Sequence, residues 1–422
     1  MIPALIIFVI MYALLLALPD KRYITALAAA AVFIVSGILP IQKVIGAVEW
    51  NVILMLAGTM MVVELFIESR MPARMAEQLL KIVPNIQWAI VALALFSGLV
   101  SAFVDNVATV LMVAPIGLAV AKKLRTNPIP VIIAIAVSSN LQGAATLVGD
   151  TTSILLGGYA NMSFNDFFWF MGRPGIAFSV EAGALLTIPV LLFLFRKEKD
   201  KVDADAETKV DDKVPTFLMF GVIAALILAS QFPNKPELTN GFICIGFAAF
   251  GILYRVIREK STDVVARIFK AVDYHTLLLL IGLFIVIGGI SEAGVITAIA
   301  DLFVKIGGNS LFLMYTLIVF ASVFISAFVD NIPYVATMLP VVQGIAVSMG
   351  VEPYVLYYGL LIGATLGGNL TPVGASANIA GIGILQKDGY EVSTTDYLKI
   401  GVPFTLVAVA AGYIVNWLVW GM

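Results

Sequence analysis

SAFVDNVATVLMVAP, residues 101–115, and SAFVDNIPYVATMLP, residues 326–340, are two copies of one motif separated by 225 positions. The first six residues are identical, and one valine and the final proline also match. Each copy places an Asp-Asn pair inside an otherwise apolar segment. Backbone can turn at membrane depth only where protein or a watery cavity satisfies its polar groups. The motif therefore predicts a re-entrant hairpin with a polar tip.

The repeat extends beyond this motif. The offset of 225 also relates Gly143, Thr146, Val148, Gly149 and Ile154 to Gly368, Thr371, Val373, Gly374 and Ile379. An offset of 224 relates Val48, Gly58 and Glu68 to Val272, Gly282 and Glu292. Chance matches among apolar residues would not also place polar residues at the same offset. We therefore predict two related halves, residues 1–195 and 215–422, joined by a charged cytoplasmic linker at 196–214.

Composition predicts an all-α polytopic membrane protein. The 422 residues are 61% hydrophobic and 12% charged, whereas soluble domains are about 45–50% apolar and about 25% charged. The net charge of −2, one cysteine and one histidine favour neither a nucleic-acid partner nor a Cys cluster for a metal. Because a membrane helix needs roughly 20 apolar residues, we expect about ten full spans, near 3–18, 23–39, 50–67, 129–160, 174–195, 215–232, 240–254, 274–290, 354–386 and 400–420.

The lysine and arginine residues predict how these spans are oriented in the cell (inner) membrane. With both termini outside and the linker in the cytoplasm, 21 of the 25 basic residues fall in inner loops. This count requires segments 86–121 and 310–347 to re-enter, because a full crossing would switch every later loop to the other side. The halves then have opposite orientations. Inverted repeats with interrupted helices indicate a secondary transporter whose site lies near the membrane midplane.

The hairpin tips supply the first candidate ion-binding residues. They are Ser101, Asp105 and Asn106 in the first copy and Ser326, Asp330 and Asn331 in the second. Carboxylates at membrane depth are costly and are functional candidates by default. Asp and Asn side chains also cap helices. The two aspartates therefore either bind an ion or mainly cap the second helix of each hairpin.

Two interrupted helices supply the second set. SSNLQGAATLVGDTTSILLGG at 138–158 and GATLGGNLTPVGASANIAGIG at 363–383 have small and polar centres between apolar flanks. A broken helix presents carbonyl oxygens that suit Na⁺ and N–H groups that suit anions, although small residues can also serve helix packing. The candidates are Asn140, Thr146, Asp150, Thr151, Thr152, Asn369, Thr371, Ser376 and Asn378. A Na⁺ ion is expected among Asp105, Asn106, Asp150, Asp330, Asn331 and Asn378.

At these motifs the chain resembles the ion transporter superfamily, especially its arsenite permease and P-protein branch. The strings that carry the resemblance are the two SAFVDN copies and GGNLTPVGASANI at 367–379. Related members include sodium–proton antiporters and divalent anion:sodium symporters. The resemblance implies a scaffold domain, a transport domain, elevator-like movement and a homodimer.

We therefore expect a secondary active transporter, with no enzymatic activity and no cofactor. It would move a small inorganic ion such as arsenite or a related anion, coupled to Na⁺ or H⁺. We expect no basic residue at the midplane, so the hairpin carboxylates would hold the coupling cation and helix N-termini would attract the solute. A sodium–proton antiporter is the main alternative. A dicarboxylate or anion symporter and a passive anion channel are further alternatives.

The re-entrant first hairpin predicts the outcome of a labelling experiment. In a chain lacking Cys244, single cysteines at positions 81 and 122 should react with an impermeant thiol reagent from the same side of the bilayer. A cysteine at position 43 should react from the other side and serves as the control. Labelling of positions 81 and 122 from opposite sides would show that residues 86–121 cross the membrane.

Overall fold

The protein is built almost entirely from α-helices. The computed structural model describes residues 1–123, 126–201, 208–210, 212–232, 234–308 and 310–422. The helices of the first half are α1 (Ile2–Ala17), α2 (Arg22–Val35), α3 (Ile41–Ala47), α4 (Trp50–Glu68), α5 (Met71–Leu80), α6 (Ile86–Ser101), α7 (Asn106–Lys123), α8 (Pro128–Gly143), α9 (Thr151–Tyr159) and α10 (Ile176–Leu194).

The second half follows the same order. Its helices are α11 (Val214–Ala229), α12 (Thr239–Glu259), α13 (Asp263–Ala271), α14 (Tyr274–Glu292), α15 (Val295–Gly307), α16 (Leu311–Ser326), α17 (Asn331–Met349), α18 (Tyr354–Leu361), α19 (Ser376–Lys387) and α20 (Thr394–Asn416). Short 3₁₀ turns occupy Pro19–Lys21, Asn165–Phe167 and Gly368–Leu370, and π-helical turns occupy Ile362–Leu366 and Trp417–Gly421. Two short strands, β1 (Trp169–Phe170) and β2 (Arg173–Pro174), pair antiparallel.

The predicted all-α polytopic class is confirmed. By length and composition, seven helices of the described chain could each span a membrane: α4, α7, α10, α12, α14, α17 and α20. An eighth results if the bent pair of α15 and α16 counts as one span. The number differs from the expected ten because it follows helix length. It includes α7 and α17, which belong to the predicted hairpins, and omits both broken helices and shorter apolar helices such as α1 and α11.

The first hairpin is built along α8. Helix α6 runs parallel to α8, because the Ser97 hydroxyl donates to the carbonyl oxygen of Ile135 at 3.2 Å while Ser101, further along, lies beside Gly143. Because both helices run in the same direction, the end of α6 lies next to the break that follows α8.

Helix α7 runs the opposite way along α8. At its start, the Asn106 amide donates to the Asn140 side chain at 2.8 Å. Further along, Gly117 packs against Val131, which lies near the beginning of α8. Because α6 and α7 follow α8 in opposite directions, the chain reverses between residues 102 and 105, as the motif predicts.

The second motif makes the same reversal. Helix α17 folds back on α16, since the Tyr334 and Ser322 hydroxyls lie 3.0 Å apart across the turn. Further along α17, Gln343 accepts a hydrogen bond from Tyr357 on α18. The contact between Tyr315 and Gly359 places α16 on the same helix. Both hairpins therefore pack on the first part of a broken helix.

The two breaks contact the hairpin tips in matching ways. The Thr146 hydroxyl donates to the carbonyl oxygen of Ala102, and the Thr371 hydroxyl donates to that of Ala327. Both members of the second pair lie 225 residues after those of the first. The internal repeat of the sequence thus corresponds to a repeat of contacts.

The broken helices cross as antiparallel neighbours. Helix α9 begins beside the second break, where the hydroxyls of Thr152 and Thr365 lie 3.1 Å apart. It ends beside α18, where the Tyr159 and Tyr357 rings lie 6.2 Å apart. The direction of α9 is therefore opposite to that of α18 and the π-helical turn. The orientation of the halves across the bilayer and the domain boundaries at 195 and 215 stay predictions.

Glycines allow the outer helices to pack closely. A Cβ atom added to Gly58 on α4 would lie 2.5 Å from the backbone of Cys244 on α12. One added to Gly282 on α14 would lie 2.7 Å from the backbone of Ala26 on α2. These contacts hold α2, α4, α12 and α14 in two equivalent pairs, which we name the scaffold. Helices α5 and α15 follow α4 and α14 directly and occupy equivalent places in the two halves.

The start of the linker contacts the base of the first hairpin. The backbone carbonyls of Glu198 and Asp200 accept the N–H groups of Gln87 and Ile86 at 2.8 and 2.9 Å. These bonds satisfy two of the free donors at the beginning of α6. Part of the predicted linker, 202–207 and 211, lies outside the described residues, as does Arg125, which was counted with the inner loops.

The tight contact at Gly58 predicts a selective loss of stability. Gly58→Ala should destabilise the protein by about 1–3 kcal/mol, the usual cost of overpacking, because backbone atoms cannot move aside as a flexible side chain would. Gly246→Ala is the control: among the described residues, no atom outside the adjoining part of its own helix lies within 4 Å of the added Cβ. It should be neutral or stabilising by up to about 1 kcal/mol through helix propensity. Unfolding midpoints in detergent test this, and equal effects would contradict it.

Candidate ion and solute site

Asparagine side chains join the first hairpin to both breaks. The Asn106 amide donates to Asn140, and the Asn140 amide donates to Asn369 at 2.8 Å and to Asn378 at 3.0 Å. All four residues are buried, with at most 5% exposure. Four candidates that lie up to 272 positions apart in the sequence therefore form one network. Because every side-chain amide has both donors and an acceptor, the run of hydrogen bonds can continue through each asparagine.

The outer members of this network stabilise the second break and join it to α8. The Asn378 amide donates to the carbonyl oxygens of Gly368 and Thr371 at 3.0 and 3.1 Å. Carbonyls freed at a helix end need such partners when they are buried. The Asn369 amide donates to the carbonyl oxygen of Val137, inside α8, at 2.9 Å. The Asn378 side-chain oxygen, expected to bind Na⁺, accepts from Asn140.

Three predicted hydroxyl residues have a similar bracing role. Thr146 and Thr371 donate to the hairpin carbonyls already described. The Ser326 hydroxyl donates to the carbonyl oxygen of Ala364 at 2.6 Å. Its counterpart Ser101 is fully buried, and its Oγ atom has no hydrogen-bond partner among the described residues. The two hairpins therefore differ at this serine.

A cavity of about 430 Å³ lies beside the network. It is walled by α4, by the tips of both hairpins, by the first break and by the beginning of α14. Its predicted site residues are Asp105, Asn106, Asp150, Thr151, Asn331 and Ser376. Sequence reasoning missed Asp273 and Thr276, which also line it, because they lie at a helix start that hydropathy assigns to the membrane surface.

Four carboxylates of unequal burial line this cavity. Asp273 is exposed, Glu64 and Asp105 are partly buried, and Asp150 is 2% exposed. No lysine or arginine appears among the described lining residues. Among the described residues, no group of three or more His, Cys, Asp or Glu side chains is placed to hold a metal ion. The described carboxylates therefore line one cavity without gathering into a metal site.

Asp105 caps a helix and faces the cavity at the same time. Its Oδ2 atom accepts the backbone N–H groups of Val107 and Ala108 at 3.0 and 3.1 Å, at the start of α7. Because both bonds use one oxygen, Oδ1 is available to the cavity. Deeper in, Asp150 accepts the Thr152 hydroxyl at 2.8 Å. The alternatives of capping and ion binding are thus compatible at Asp105.

Asp330 has different surroundings, which include a basic residue. Its carboxylate accepts the backbone N–H of Ile332 at 3.1 Å and the Ser376 hydroxyl at 2.8 Å. It also pairs with the Arg22 guanidinium at 2.9 Å. The sequence analysis did not anticipate this pair. Hydropathy shows that a charge begins α2, but it cannot show that the side chain reaches a hairpin 308 residues away.

Asn331 lines the cavity and carries an unpaired donor. Its Nδ2 atom is buried and has no hydrogen-bond partner among the described residues. An unpaired buried amide is costly.

A smaller cavity of about 170 Å³ occupies the position related to the first by the repeat. Its residues Ala47, Glu49, Phe284, Ile287, Gly288 and Ser291 correspond, at an offset of 224, to Ala271, Asp273, Met60, Val63, Glu64 and Ile67 of the larger cavity. The smaller cavity lies at the beginning of α4 and the larger reaches its end. Two related chambers of unequal size therefore lie at opposite ends of one helix.

Hairpins packed on crossed, broken helices beside a polar cavity are the arrangement of a membrane transporter. The sequence model of the citrate transporter family, CitMHS, matches residues 6–363. The chain belongs to this family, and it is a multi-pass membrane protein.

Relatives support this assignment over the whole chain. A 46 kDa membrane protein of Mycobacterium leprae is 31% identical over 427 residues, and an uncharacterised transporter of Mycobacterium tuberculosis is 31% identical over 426 residues. Each alignment covers 98% of both chains. The human P protein is 26% identical over 490 residues, which cover 97% of this chain and 58% of the P protein. The predicted resemblance to the ion transporter superfamily is confirmed.

Solved structures show the same fold. The Alcanivorax borkumensis YdaH transporter matches with a TM-score of 0.63 and 13% identity, over 89% of this chain and 87% of its own. Neisseria gonorrhoeae MtrF, described as one of a class of antimetabolite efflux pumps, matches with a TM-score of 0.55 and 14% identity, over 88% and 81%. At these identities the likeness concerns the fold alone.

The asparagine network predicts a stability effect at its centre. Asn140→Ala should lower the free energy of unfolding by about 1–3 kcal/mol, the cost of leaving buried polar groups unpaired, because Asn106, Asn369 and Asn378 lose their shared partner. Asn234→Ala is the control, since Asn234 is exposed and should change stability by less than about 0.5 kcal/mol. Unfolding in detergent is the measurement, and equal effects of both variants would refute a structural role for the network.

Proposed function

We propose that the protein is a cation-coupled secondary transporter in which the larger cavity binds Na⁺ or H⁺ together with a small solute. The main support for this proposal is the lining of the cavity, which has four carboxylates and no lysine or arginine among its described residues. Opposite charges attract strongly where water is scarce. A monovalent cation is therefore the ligand that this lining favours most.

The deeper end of the cavity supports a specific cation position. Asp105 lines the cavity, and both of its backbone hydrogen bonds use Oδ2. The Asn106 side-chain oxygen stays available because the network uses the Asn106 amide nitrogen as a donor. Asp150 and Thr151 line the same region. Carboxylate, amide and hydroxyl oxygens are suitable ligands for Na⁺. For H⁺ coupling, the same carboxylates would carry the proton.

The charge of the cavity also constrains the solute. Arsenite is uncharged near neutral pH as the trihydroxy acid, so the carboxylates would not repel it. Its hydroxyl groups could donate to Asp105 or Asp150, which line the cavity. We therefore propose a small, weakly charged inorganic solute of this kind.

Citrate is a second candidate because the matching family is described as a citrate transporter family. A free tricarboxylate would meet four like charges along the cavity. Citrate would therefore enter with its charge reduced by bound protons or by a metal cation. A sodium–proton antiporter, which needs no solute, is a third candidate that the acidic lining also supports.

Elevator-type movement is the form of alternating access that we propose. The hairpins and broken helices would move as one unit against the scaffold, so that one cavity contracts as its counterpart widens. The unequal volumes of the two related cavities, about 430 and 170 Å³, support this proposal. We also propose the homodimer that the resemblance implies, with the scaffold as the fixed part of each subunit.

Transport by variants in proteoliposomes tests the proposal. Asp105→Asn and Asp150→Asn should each reduce cation-dependent uptake about 10- to 100-fold, since a charged ligand contributes about 1.5–3 kcal/mol. The control Asp301→Asn alters an exposed carboxylate on α15 and should transport normally. Unchanged uptake in the Asp105 and Asp150 variants would remove both residues from the mechanism.

Three parallel assays on the same vesicles distinguish the candidates. One follows arsenite uptake, one follows citrate uptake with and without Mg²⁺, and one follows the collapse of a pH gradient on adding Na⁺ alone. Uptake of one solute under an ion gradient identifies the symported substrate. Gradient collapse with no solute identifies the antiporter. Solute flux that never exceeds equilibrium under any ion gradient would contradict coupled transport.

A further inference from the structure

We propose that Arg22 is a built-in cation for Asp330, so that of the two related hairpin carboxylates only Asp105 takes an exchangeable cation. This assignment rests on the proposed function and deepens it, because it sets the number of coupling ions at the hairpin tips to one. It also separates two residues that the repeat makes equivalent in sequence.

The first observation is that the Asp330 carboxylate has a full set of partners. Oδ2 accepts from the Arg22 guanidinium at 2.9 Å and from the Ser376 hydroxyl at 2.8 Å, while Oδ1 accepts the Ile332 N–H at 3.1 Å. The carboxylate is 7% exposed in this arrangement. A guanidinium stays charged at any physiological pH, so it neutralises Asp330 permanently.

The second observation is that Asp105 has no such partner. Only two backbone N–H groups among the described residues bind its carboxylate, and both use Oδ2. Asp105 faces the acidic cavity, whereas Asp330 is absent from the cavity lining. The negative charge of Asp105 is therefore left for a mobile ion to neutralise.

The third observation is that the repeat itself lacks an arginine for Asp105. Gly58 contacts Cys244, and the related Gly282 contacts Ala26. Position 26 of α2 therefore corresponds to position 244 of α12, an offset of 218. The contacts of Gly251 with Leu65 and of Gly289 with Phe33 give the same offset. These four contacts fix the correspondence of the two helices.

At this offset, the counterpart of Arg22 is Asn240. Asn240 is uncharged, and its side-chain oxygen accepts from Lys235 at 3.3 Å. One half of the molecule therefore carries its cation in the chain, and the other half has a neutral residue at the equivalent place. A transporter with two identical exchangeable sites would need neither the arginine nor this difference.

Cation-dependent unfolding of the purified full-length protein tests the assignment. Unfolding midpoints would be measured in NaCl and in choline chloride at equal ionic strength, and in a second arm at pH 6 and pH 8, because a bound ion raises the midpoint by mass action. The wild-type response should survive in the double variant Arg22→Gln/Asp330→Asn and disappear in Asp105→Asn. The single variant Arg22→Gln frees a second carboxylate to bind a cation. The slope of its unfolding midpoint against log[cation] should therefore increase roughly twofold.

The outcomes separate this assignment from the proposed function. A wild-type protein that responds to neither Na⁺ nor pH would refute the proposed function and this assignment with it. A wild-type response that is lost in the folded double variant, or unchanged in Arg22→Gln, would refute the role of Arg22 alone. Gel-filtration profiles establish folding, and Lys43→Gln, which breaks an exposed ion pair with Glu292, is the control for a general loss of charge.

Discussion

Backbone that is interrupted inside a membrane must find hydrogen-bond partners within the protein, and this requirement organises the whole structure. Lipid offers no donors or acceptors, so each break needs its own polar side chains. Thr146 and Thr371 join the breaks to the hairpin tips, Asn378 satisfies carbonyls at the second break, and Asn369 joins that break to α8. A large part of the polar sequence at membrane depth is therefore structural, and the polar groups left over define the site.

Much of this arrangement could be predicted from the sequence. The duplicated SAFVDN motif located both hairpins, and the glycine-rich segments located both breaks, because polar and helix-breaking residues stand out in apolar surroundings. The asparagines expected at the site do meet. The depth of a residue in the membrane can be inferred from hydropathy, because it depends only on the position of the residue in its own helix.

Lateral neighbours could not be predicted in the same way. Asp105 and Asp330 occupy identical motifs, yet one faces a cavity and the other pairs with Arg22. That difference depends on α2, which lies in another part of the chain and follows a different repeat offset. Asp273 was also missed, because its place on the cavity wall depends on how α14 packs beside α4. Repeats in sequence predict equivalent backbone paths, but electrostatic equivalence needs equivalent neighbours.

The unequal cavities at the two ends of α4 have a pharmacological consequence. A rigid blocker shaped for the larger chamber, with a cationic group for Asp273 and Glu64, would find no equivalent site in the smaller one, where a glycine stands in place of Glu64. Such a compound would act from one face of the membrane only. When solute is supplied at the other face, the compound would lower the maximal rate of transport as a non-competitive inhibitor.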